Sequence, residues 1–194
     1  MNQWQNDSME QFSRDSAFEL LQQHTASESL IKHMLATEAC MRAYAVKFGE
    51  DDAKWGIVGL LHDFDYEMFP NPPDHPEKGA EILKTRGYPD DVIYAIRSHA
   101  QYTGCPRNSL MDKTLFACDE LAGFITAVTL VRPDRKIRGL EPRSVRKKMK
   151  DKAFARSVSR DDIIQGAREL GVELDEHIAF CIRAMEEAAE SLGL

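Results

Sequence analysis

Four histidines and two aspartates are the residues in this sequence best suited to chemistry: His33, His62, Asp63, His75, His99 and Asp119. His62 and Asp63 are adjacent and close an apolar run, WGIVGLL, from Trp55 to Leu61. A titratable pair is costly at the end of a stretch built for burial unless something neutralises it. A metal ion would do so, because imidazole and carboxylate are natural ligands of divalent metals. A lone His-Asp dipeptide means little, so the weight rests on the set. Each member lies in or beside a helical pattern, and together they suffice for two metals that share a carboxylate.

Asp119 sits in LFACDELAGFITAV, the segment with the most buried character in the chain. An ionised carboxylate there is expensive without a cation. The bland alternative is a buried aspartate paired with a distant Lys or Arg. Ala122 and Gly123, one helical turn on, leave room beside it for something larger than a water. His75 falls in the first turn of its predicted helix, where backbone N–H groups favour anions. On that helical reading Lys78 and Gly79 share its face. Lys78 is then a candidate phosphate contact and catalytic residue, and Gly79 permits close approach of ligand or backbone. Alternatively Lys78 is a surface residue and Gly79 a packing contact. His99 and His33 stand on apolar helix faces, where a lone histidine is more often a satisfied core residue than a ligand. His24 and His177 receive no role. There is no Ser-His-Asp or Cys-His nucleophile pattern.

The elements that must position these residues all read as helices, with no convincing period-2 strand. Predicted helices run over 15–24, 27–48 with Gly49 as C-cap, and about 51 to the His62-Asp63 pair. The segment 64–73 holds three prolines and reads as loop. Asp74 reads as an N-cap completed by Glu77 in a capping box, with its helix ending at Gly87. Further helices follow over 90–99, 113–131 (the central buried one), 159–170 and 175–191. The expectation is an all-α bundle of roughly eight helices, in a single domain spanning 1–194.

Composition narrows the class. At 194 residues, 43% hydrophobic and 29% charged, the chain can bury a substantial core as a soluble globular protein. No apolar run approaches the roughly 20 residues that span a bilayer, and MNQWQNDSMEQF lacks the features of a signal peptide. The expectation is a cytoplasmic protein with no membrane partner. Cys40, Cys105, Cys118 and Cys181 show no CxxC spacing, which argues against a disulfide framework or a thiolate zinc site. A net charge of −7 argues against general nucleic-acid binding. Yet residues 132–152 hold ten Lys or Arg against three acids. That segment reads as a solvated charged helix face with its loop, or as a surface for an anionic partner.

The order His33, His62-Asp63, His75, His99, Asp119, with GLLHDFD, HPEKGAEIL, AIRSHA and DKTLFACDELAG, resembles the HD-domain superfamily of metal-dependent phosphohydrolases. The resemblance covers about residues 27–131 and leaves 132–194 as a C-terminal helical extension. It implies an HD-domain helical bundle in which His33, His62, Asp63 and Asp119 bind one metal. His75 and His99 would bind a second, with Asp63 bridging the two and so taking a catalytic role. The metals would be two divalent ions drawn from Mn, Fe, Ni, Co, Zn or Mg. The implied activity is hydrolysis of a small, nucleotide-like phosphate ester or anhydride by a metal-activated water. Two alternatives remain open: a di-iron oxygenase of the same superfamily, and a silent metal- or ligand-binding protein.

Overall fold

The computed structural model describes residues 12–194, so the reading of the N-terminal segment through residue 11 lies outside the described residues. Among the described residues there are ten α-helices and no strand. In order they are α1 (Arg14–His24), α2 (Glu28–Phe48), α3 (Asp52–Leu61), α4 (Asp74–Thr85) and α5 (Asp90–His99). After a short 3-10 turn at Gln101–Thr103 come α6 (Leu110–Leu130), α7 (Pro142–Met149), α8 (Arg160–Leu170), α9 (Leu174–Glu187) and α10 (Ala189–Leu192). The fold is all-α as expected. The two helices beyond the expected eight are α7, inside the basic segment, and the short α10. None of these helices is long and apolar enough to cross a membrane.

Helix starts follow the capping residues. Ser13, Ser27, Asp51 and Ser159 each accept a hydrogen bond from a backbone N–H three residues on, which satisfies a donor that the first turn leaves unpaired. Gly49 and Gly171 end α2 and α8 in the left-handed region, at φ 74° and 73°. Two expectations fail. The central helix starts at Leu110 rather than Lys113, because Ser109 and Asp112 form the capping box there. The capping box expected at Asp74 and Glu77 is absent: Pro73 precedes α4 with no side-chain cap, and Glu77 pairs with Arg97 of α5.

Two close backbone approaches set the frame of the site. A Cβ on Gly59 of α3 would stand 2.9 Å from the backbone of Glu38 in α2, and one on Gly56 would meet Arg42. With His62 against His33, these pairs run in opposite directions along the two helices, so α2 and α3 are antiparallel. Likewise a Cβ on Gly166 of α8 would lie 2.6 Å from the Cα of Ala117 in α6. The core between these helices contains Met34, Met41, Leu61, Leu115, Leu121 and Phe124, all fully buried. Burying apolar side chains of this size contributes about 1.5–3 kcal/mol each. That stabilisation offsets the cost of placing charged groups at the inner ends of the helices.

Candidate metal centre

All six expected metal ligands meet in one place. His33 comes from α2, His62 caps the C-terminal end of α3, and Asp63 stands in the turn that follows. His75 lies at the start of α4, His99 ends α5, and Asp119 is midway along α6. Local chemistry aims the rings. Nδ1 of His62 lies 2.8 Å from the carbonyl of Gly59, Nδ1 of His99 lies 2.5 Å from that of Ile96, and Nδ1 of His75 lies 2.8 Å from Oδ1 of Asp65. Since carbonyl and carboxylate oxygens only accept, each Nδ1 carries a proton, and Nε2 is the ring atom that faces the site and can give its lone pair to a metal once its own proton is released.

The Nε2 atoms converge on Asp63 from two sides. Its Oδ2 lies 3.7 Å from His33 Nε2 and 3.6 Å from His62 Nε2. Its Oδ1 lies 3.2 Å from His75 Nε2 and 3.3 Å from His99 Nε2. Asp119 Oδ1 completes the first side, 3.0 Å from His33 and 3.4 Å from His62. Two groups result, one of His33, His62, Asp63 and Asp119 and the other of Asp63, His75 and His99. The donor atoms within each lie within 4.8 Å of one another. Nε2 of His33 and Nε2 of His62 are only 3.2 Å apart. Two lone pairs cannot face each other at that distance without a proton or a cation between them. The donor set therefore suits divalent ions, and Asp63 is the residue common to both groups.

The electrostatics point the same way. Burial acts to lower His62, but Asp63 and Asp119 outweigh it and raise the ring to about 9. His75 is also raised to about 9, against its burial, by Asp63 and Asp65. Burial pushes the Asp63 carboxyl up, yet the surrounding histidines hold it well below the usual range. Asp119 is lowered in the same way by His62 and His33. A field that retains protons on two imidazoles at neutral pH is one that a cation would relieve. No Lys or Arg reaches Asp119, so the bland alternative of a distant ion pair is not realised among the described residues.

Lys78 is corrected. Its side chain is 42% exposed and pairs with Glu81 at 3.0 Å, and it does not line the cavity at the metal centre. The reason is local. His75 has φ −80° and ψ 137°, outside the helical region, so the register assumed between His75 and Lys78 does not exist. Gly79 is used instead. Its N–H donates to Asp65 Oδ2 at 2.8 Å, and an added Cβ would stand 2.8 Å from the Asp65 Cγ.

Several groups escaped the sequence reading. Asp65, fully buried, joins His75 to the first turn of α4. Its only signal was the second aspartate of HDFD. The cavity at the metal centre, about 450 Å³, is also lined by Tyr66, Tyr102, Phe116 and Glu120. The Tyr102 hydroxyl donates to the His75 carbonyl at 2.6 Å, and burial pushes that phenol up to about 12. Burial, and then the neighbouring Asp119, raise Glu120 to about 7. Three cysteines the sequence left scattered, Cys40, Cys118 and Cys181, meet fully buried in the core. His177 beside them has its ring nitrogens engaged by the Tyr44 hydroxyl and the Ala117 carbonyl, a satisfied core histidine.

Comparison with known proteins agrees with this geometry. The family model described as HD domain matches residues 30–123, a range that contains all six donors. Ribonuclease Y of Desulfotalea psychrophila (strain LSv54 / DSM 12343) is 29% identical over 100 residues, covering 50% of this chain and 18% of that protein. The chain thus matches less than a fifth of that relative's length. No solved structure matches. HD domains are helical, bind divalent metals and belong to a superfamily of metal-dependent phosphohydrolases, and residues 30–123 of this chain are similar to that family and carry clusters able to hold a metal.

Proposed function

We propose that this protein is a dinuclear metal-dependent phosphohydrolase acting on a small, nucleotide-like phosphate compound. One observation carries the proposal: the two oxygens of Asp63 face different histidine pairs, Oδ2 toward His33 and His62 and Oδ1 toward His75 and His99. His33, His62, Asp63 and Asp119 on one side and Asp63, His75 and His99 on the other would hold divalent ions, which would supply a water nucleophile at neutral pH and neutralise charge on the phosphoryl oxygens. The chain's own part is to fix the donors. Asp65, Gly59 and Ile96 orient three rings through their Nδ1 protons, and Tyr102 ties the His75 backbone to the wall of the cavity. In the reaction a water oxygen bonds to phosphorus, the P–O bond to the leaving group breaks, and one proton from the water ends on the departing oxygen. With no Lys or Arg among the described residues that line the cavity, charge neutralisation would fall to bound metal rather than to Lys78.

A cavity of about 450 Å³ fits a small molecule better than a nucleic-acid strand. The relative named as a ribonuclease nevertheless places a short RNA in the test. The experiment loads the protein with Mn²⁺, Ni²⁺, Co²⁺ or Fe²⁺, verifies the content, and assays phosphomonoesters, phosphodiesters, nucleotides and a short RNA. Turnover of a small phosphate compound is expected. Silence across the panel at full occupancy refutes the proposal, and substrate-dependent O₂ uptake by the iron form would replace it with the oxygenase reading.

A further inference from the structure

The cavity at the metal centre continues past the six donors, and part of its wall comes from outside the HD match: Ser157, Val158 and Asp162. This wall is built, not incidental. The Arg160 guanidinium donates to the carbonyls of Phe154, Ala155 and Val158 and lies 4.5 Å from the centroid of the Phe124 ring on α6. The Ser159 N–H donates to Glu120 Oε2 at 3.1 Å, and the Gln101 amide donates to Asp162 Oδ1 at 2.6 Å. One oxygen of each acid is thereby used to hold the wall. The other, Oε1 of Glu120 and Oδ2 of Asp162, has no hydrogen-bond partner among the described residues.

The charges along the cavity divide it in two. Two divalent ions held as proposed would, against Asp63 and Asp119, leave a surplus of roughly two positive charges, which one phosphoryl dianion matches. Apart from the six donors, the polar lining is Tyr66, Gln101, Tyr102, Ser157 and the acids Glu120 and Asp162, without a Lys or Arg among the described residues that line it. A second phosphate of a di- or triphosphate would meet acids there and find no cation. An alcohol, an amine or a nucleoside carrying hydrogen-bond donors would find acceptors. Resting on the phosphohydrolase reading, we infer that the Ser157–Asp162 wall is a leaving-group subsite. It selects phosphomonoesters whose leaving group is neutral or cationic and donor-rich, and it rejects polyphosphates.

The test uses two readouts. In the first, the metal-loaded full chain hydrolyses adenosine monophosphate, phosphoethanolamine and adenosine triphosphate side by side. A kcat/KM at least roughly tenfold higher for the better monoester than for the triphosphate is expected, the discrimination that like-charge placement supplies. Ser157 is exposed and takes part in no hydrogen bond that holds the wall, so Ser157→Arg adds a cation without removing a structural contact. It should narrow or invert that ratio. The second readout needs no turnover. Adenosine triphosphate binding to the metal-free protein, followed by ligand-observed NMR, should tighten roughly tenfold in Ser157→Arg. Equal use of mono- and triphosphate by the wild type, or an unchanged ratio and affinity in Ser157→Arg, overturns the subsite. If no phosphate compound is hydrolysed, the phosphohydrolase reading falls, while triphosphate affinity still decides whether the wall excludes anions.

Discussion

Asp65 should control the second metal group without being a ligand. It is fully buried, its Oδ1 accepts from His75 Nδ1 and its Oδ2 from the Gly79 N–H, each at 2.8 Å. Asp65→Ala leaves two buried donors unpaired. Hydrogen bonds to a charged group contribute about 1.5–3 kcal/mol each, so the loss should total about 3–6 kcal/mol. In a chain of this size that lowers Tm by on the order of 10 °C. Asp65→Asn is the cleaner variant, because it preserves volume. Its amide oxygen can accept from only one of the two donors, and its NH₂ faces the other. Freed from its carboxylate, the His75 ring loses its fixed tautomer, and metal affinity at the Asp63, His75 and His99 group should fall about 10- to 100-fold. The group of His33, His62 and Asp119 should keep its affinity, since none of these residues touches Asp65. Calorimetric titration with Mn²⁺, fitted to two sites, reads both values. Asp65→Asn protein that binds two equivalents with wild-type affinity would refute the reasoning.

Three further outcomes follow from the same geometry. Asp63→Ala should lose both metals whereas His99→Ala should retain about one, measured as bound metal after gel filtration; equal content in wild type and Asp63→Ala would remove the bridge. The metal-free protein should lose stability as pH rises from about 6.5 to about 9, because His62 and His75 keep in the folded state protons that the unfolded chain releases earlier. Metal must displace those protons, so its affinity should rise over the same interval; a metal-free Tm that is flat or rising there contradicts both statements. Lys78→Met should leave turnover within about twofold of wild type, since the ammonium is exposed and paired with Glu81, and a loss on the order of 10²-fold would restore it to the site.

Much of the candidate site was legible in the sequence because residues able to ligate a metal are conspicuous when they interrupt apolar helical patterns. His62-Asp63 after WGIVGLL and Asp119 inside LFACDELAG are costly placements, and the structure brings both to one point. Helix boundaries were legible where a cap is local, as at Ser27, Asp51, Gly49 and Ser159. They failed at His75, where helical periodicity was assumed through a residue whose backbone is not helical, so His75 and Lys78 do not share the helix face expected of them.

The composition and periodicity of the chain determine its helices, its buried faces and the set of six donors, since each of these depends on residues within a turn or two. Which Asp63 oxygen faces which histidines, the bond from Asp65 to His75, the meeting of Cys40, Cys118 and Cys181, and the wall at Ser157–Asp162 come from segments far apart in the chain. Those are decided by how α2, α3, α6 and α8 pack, at close crossings such as Gly59 on Glu38 and Gly166 on Ala117. Local patterns report which face a helix buries, but the partner across that face is chosen by packing between helices, and only the tertiary structure contains it.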